Sequence, residues 1–148
     1  MKNNIRYTFN DGGREASGFK GATGDCVTRA IAIVTGKPYS EIYDRLAIET
    51  GSQRKSARTG KRSSSARNGI NTTREWFKRY MTELGLNWVA TMHIGSGCKV
   101  HLLAEELPYG SIICSLSKHY CAVVDGVIHD TYDPSRNGTR CVYGYWHI

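Results

Sequence analysis

Apolar residues recur at Cys26, Val27, Ala30, Ile31 and Val34, which is the spacing of one helical face. The pattern predicts a helix that begins at Cys26 and stops at Gly36, with Asp25 or Thr23 as its N-cap. Tyr39, Ile42, Tyr43, Leu46 and Ala47 share the face of a second helix over Tyr39–Ile48, with Pro38 close to its start. A third fits Thr73–Leu84, where Trp76, Phe77, Tyr80, Met81 and Leu84 face inward and Gly85 ends the element. Their helical spacing marks these aromatics as core. Between the second and third helices, Gly51–Asn71 has no period at all and reads as a long loop.

The period changes in the last third of the chain. Ser111–Ser115, His119–Val124 and Val127–Asp130 run apolar or alternate, and Asp125-Gly126 is a two-residue hairpin signal. Further strands are expected at Trp88–Met92 and Arg140–Trp146, with a short one at Ile5–Phe9. A glycine-rich lead-in (Gly12, Gly13, Gly18, Gly21, Gly24) joins that first strand to the first helix. A Gly-Ser-Gly turn at 95–97 precedes a short helix or turn at His101–Leu107. Helices first and an antiparallel meander afterwards define an α+β domain spanning residues 1–148, with no internal repeat.

The 148 residues are enough for one domain with a real core, and 40% hydrophobic content argues against wholesale disorder. No apolar run reaches the roughly 20 residues of a bilayer-spanning helix, and Met1–Tyr7 lacks the apolar segment of a signal peptide. The expectation is therefore a cytoplasmic protein without a membrane partner. The five cysteines are an odd number without CxxC pairing, so reduced thiols are expected. Cys114, Cys121 and Cys141 lie in apolar runs as small buried hydrophobes, and their spacing fits no common zinc site.

The net charge of +7 points to an anionic partner. Arg54, Lys55, Arg58, Lys61, Arg62 and Arg67 crowd the long loop, and no acid occurs between Glu49 and Glu75. The loop could be a solvated face, a nucleic-acid contact through Arg54, Lys55, Arg58, Lys61 and Arg62, a gate over the cysteine, or a site of proteolytic cutting.

Candidate chemistry concentrates at three positions. A thiol attacks as thiolate, and a free cysteine, with a pKa of about 8.5, is mostly protonated at neutral pH. Cys26 at a helix start feels the positive end of the dipole, and His119 could supply an imidazolium beside it. The imidazole needs an orienting partner. With Asp125-Gly126 as the turn, Val124 faces Val127, and His119, Cys121, Asp130 and Tyr132 share one face. Asp130 is the preferred third residue; Asp133 and His129 point away unless the register slips by one. Cys98, after the Gly-Ser-Gly turn, is a competing nucleophile.

The Gly24-Asp25-Cys26 to Arg29-Ala30 helix start and the His119 to Asp130 hairpin resemble the papain-like cysteine peptidase superfamily in its small bacterial and phage forms. The resemblance covers about two-thirds of the chain as layout and only a few residues as motif. It implies helices packed on an antiparallel sheet, a cleft between them, Cys26 as nucleophile, His119 as base and Asp130 as orienting residue. The implied activity is hydrolysis of an amide bond in a peptide or protein (peptidase, amidase or deamidase) through a thioester, with no cofactor. The rival reading, from the basic loop, is a binding module that grips nucleic acid or an acidic host protein through residues 54–67 on a catalytically inactive papain-like scaffold. Unlike the family pattern, no glutamine precedes Cys26; the only glutamine is Gln53. The oxyanion hole would use the Cys26 backbone N–H with Asn10, Ser17 or Thr23.

Overall fold

A computed structural model describes residues 5–16, 18, 25–51, 70, 72–93 and 95–148. The basic cluster at 54–67 lies outside them, as do Ser17 and Thr23. The chain runs β1 (Arg6–Phe9), α1 (Cys26–Thr35), α2 (Tyr39–Gly51), α3 (Glu75–Glu83), β2 (Asn87–Ala90), a 3-10 turn at Ala104–Glu106, β3 (Ser111–Leu116), β4 (His119–Val124), β5 (Val127–Asp130) and β6 (Gly144–His147). The result is an α+β fold of three helices and one six-stranded sheet ordered β1-β5-β4-β3-β6-β2.

The sheet is mixed, which corrects the expectation of a purely antiparallel one. β1 pairs in parallel with β5, Arg6 opposite Val127 and Phe9 opposite Asp130, and β2 joins the far edge beside β6. Four residues of β-type sequence say nothing about the direction of a partner more than a hundred residues away, and the meander supplied an obvious antiparallel frame.

Local chemistry explains the central hairpin. Asp125 and Gly126 both have positive φ (49° and 78°), the requirement of a type I′ turn, and Val124 pairs with Val127. At the end of α1, Gly36 takes the left-handed conformation (φ 72°) and its N–H bonds the Ala32 carbonyl.

The pleat sorts side chains between two apolar clusters. Tyr120 and Ala122 of β4 and Ile113 of β3 face the helices, meeting Ile31, Ile42, Leu46, Phe77 and Met81. Cys121, Val123, Ile112 and Cys114 fill the opposite side with Ile5, Leu102 and Val142. α1 lies directly against β4, which brings the helix start over the beginning of that strand.

Cys98 and Cys141 form a disulfide, correcting the expectation of reduced thiols throughout and of Cys141 as a simple core thiol. An isolated bridge between His101 and Cys141 brings the two segments together, and the disulfide joins positions 43 residues apart, a contact that no local pattern announces. Among the described residues, no helix is long and apolar enough to cross a membrane.

Candidate active site

Cys26 is the first residue of α1. Its backbone N–H has no intrahelical acceptor, as for any residue of a first helical turn, and its half-buried thiol feels the partial positive charge of those N–H groups. The Tyr120 backbone N–H donates to Cys26 Sγ at 3.4 Å. The β4–β5 ladder runs from Val124↔Val127 to Ala122↔His129 and goes no further, so the Tyr120 N–H lies beyond the last paired position. Termination of β5 at Asp130 thus opens a place for a ligand sulfur at the end of the sheet.

His119 opens β4 and Asp130 closes β5, so antiparallel pairing puts both at that same end. His119 Nε2 and Asp130 Oδ2 are 2.6 Å apart, with both residues buried. The Tyr132 hydroxyl stands 3.4 Å from the opposite ring nitrogen, Nδ1, with its ring against the imidazole. The structure therefore brings Cys26, His119 and Asp130 together. Asp133 is turned to its own loop, accepting from the Ser135 N–H. His129 points to Asn10, with Nδ1 3.2 Å from the amide nitrogen.

The electrostatics separate Cys26 from the other free thiols. Burial opposes its thiolate, but the hydrogen bond and charge of His119, the Tyr120 N–H and the Arg29 charge outweigh burial, and its pKa falls below the ordinary value of 9. Burial alone pushes Cys114 up to about 12 and, as the largest cause, drives Cys121 well above the ordinary value. Burial likewise opposes the His119 imidazolium, yet hydrogen bonds to Asp130 and Cys26 together with their charges raise its pKa to about 9. A lowered thiol beside a raised imidazole is the direction that favours a thiolate–imidazolium pair.

Three other assignments change. Cys98 is consumed by the disulfide and drops out as a nucleophile. Asn10 turns away from an oxyanion role: its Oδ1 accepts from the Gly12 N–H and its amide faces His129. Asp25 sits at the N-cap position but its side chain makes no cap bond; its carboxylate instead meets Arg29, the Arg14 Nε at 3.2 Å and the Tyr39 hydroxyl at 2.5 Å.

Sequence reasoning passed over Arg29. The sequence shows only that an acid and an arginine four apart on a helix stand one above the other; the Asp130 contact comes from β5. Among the described residues, no group of three or more His, Cys, Asp or Glu side chains could hold a metal ion. No protein-family model, no curated protein and no solved structure matches the chain.

Proposed function

We propose that the chain is a thiol hydrolase of papain-like type that cleaves an amide bond in a peptide or protein. The observation that carries the proposal is the line Cys26–His119–Asp130, with a buried 2.6 Å contact orienting the imidazole and a selectively lowered thiol at a helix start. In this reading the Cys26 thiolate attacks the carbonyl carbon and the C–N bond breaks as His119 gives its proton to the leaving amine. A thioester remains. His119 then takes a proton from water, hydroxide adds to the thioester, and the Cys26 thiolate leaves with the carboxylate product released. The Cys26 backbone N–H is positioned to receive charge on the carbonyl oxygen. Asp130, bound to Nε2, orients the His119 imidazole through these proton transfers.

Incubation with a mixed peptide library, followed by mass spectrometry, tests the reading. New termini and a transient acyl adduct on Cys26 are expected, and both should vanish in Cys26→Ala and His119→Ala. Alkylation of folded Cys26 by iodoacetamide at about pH 6 should outpace that of the denatured chain. If the folded and denatured thiols react equally, the proposal fails.

A further inference from the structure

We propose that Arg29 is a positioning residue of this site, seated by Asp25 and holding the Asp130 carboxylate that orients His119. The inference rests on the thiolate–imidazolium reading above and goes beyond it. Arg29 lies one turn after Cys26 in α1, with its side chain only 9% exposed. Its Nη1 bonds Asp25 Oδ1, and its Nη2 stands 3.4 Å from Asp130 Oδ1, the oxygen not used by His119. The Thr131 N–H donates to that same Oδ1 at 2.7 Å. Asp130 is thus held on one oxygen by a cation and a backbone donor, which aims the other at the imidazole.

The arrangement also answers an electrostatic problem in the sequence. Asp25 is adjacent to the nucleophile, and an uncompensated buried carboxylate there would oppose a thiolate. Arg29 from one side and Arg14 from the other cover it, with the Tyr39 hydroxyl as a neutral donor. A loop wall makes this fit: Gly12 (φ 69°) presses against α1 so closely that a Cβ would lie 2.9 Å from the Arg29 carbonyl oxygen, and Arg14 follows two residues later.

The charged and titratable groups around Cys26 can be named element by element. The loop after β1 supplies Arg14, α1 supplies Asp25 and Arg29, and α2 supplies Tyr39. β4 supplies His119 and the neutral thiol of Cys121, β5 supplies Asp130, and Tyr132 follows it. Removing a positive and removing a negative group from this set should have opposite consequences for the thiolate. Loss of general packing would not.

The test follows Cys26 alkylation by iodoacetamide against pH in the full chain, with near-UV circular dichroism checking the fold. Arg29→Gln should move the acid limb to higher pH and slow alkylation near pH 6 by about tenfold, one pH unit of thiolate formation. Arg29→Lys should recover much of that loss. Asp25→Asn, which keeps an oxygen for Arg29, should move the limb the other way and leave alkylation near pH 6 as fast as in the parent or faster. Shifts in the same direction for Arg29→Gln and Asp25→Asn, or no shift in either, overturn the positioning role. A parent protein whose Cys26 has no advantage over the denatured chain overturns the proposed function instead, and this inference with it.

Discussion

Asp130→Asn isolates the charge that orients His119. The substitution keeps the side-chain shape and an oxygen for Nε2, but it removes the negative charge from a contact of 2.6 Å between residues only 8% and 4% exposed. A hydrogen bond to a charged group contributes about 1.5–3 kcal/mol, so the ratio of imidazolium to imidazole should fall roughly 10- to 100-fold in the variant. His119 should then titrate well below about 9, as read from its ring proton resonance. Cys26 alkylation at about pH 8, between the lowered imidazole titration and that of the parent, should slow, because the thiolate loses its imidazolium partner there. At about pH 10, above the ordinary thiol range, the variant and parent rates should converge. That convergence separates an electrostatic effect from a change in access to the sulfur. A folded Asp130→Asn protein with the parent rate at every pH, or with a slowdown that persists in alkali, would refute the reasoning.

Stability against pH should expose the paired titration. His119 is raised in the folded state, so its contribution is full below about 6.5 and disappears as pH climbs through about 9; the lowered Cys26 thiol contributes in the opposite sense, fully above about 9 and lost as pH falls. The two slopes oppose each other below about 9, so the urea midpoint of the parent should fall less with rising pH than that of Cys26→Ser, which keeps only the His119 loss. A flat profile in both proteins would remove the ion pair. For the disulfide, alkylation in denaturant without reductant should tag Cys26, Cys114 and Cys121 alone. Reduction, or Cys98→Ser, should lower unfolding stability by about 2–4 kcal/mol, as expected for closure of a loop of this length. Tagging of all five cysteines without reductant would contradict the Cys98–Cys141 bond.

Much of the site was legible because it is built from short-range signals. The apolar spacing from Cys26 to Val34 predicts a helix whose first residue is the thiol, and α1 begins there. The Asp125-Gly126 pair predicts both the turn and its register, and Val124 does pair with Val127. From that register alone Asp130 lies near His119 and Asp133 does not. Arg29 was harder to see, because its identity as a buried side chain depends on β5 arriving opposite α1. Asp25 misled for a related reason: N-cap preference is a local rule, and a nearby buried guanidinium outcompetes the backbone N–H groups for the carboxylate.

The chain by itself determined its three helices, its central hairpin and the order in which thiol, imidazole and carboxylate follow one another. All of these rest on periodicity or turn chemistry within about a dozen residues. Tertiary structure alone decided that β1 runs parallel to β5, that Cys98 meets Cys141, and that Arg14, Asp25 and Arg29 converge behind Asp130. Each of these joins distant segments through backbone ladders, sulfur or buried charge, and their pairing energies leave no period in the sequence. The thiol could be found from its helix; the cations that surround it appear only when the fold closes.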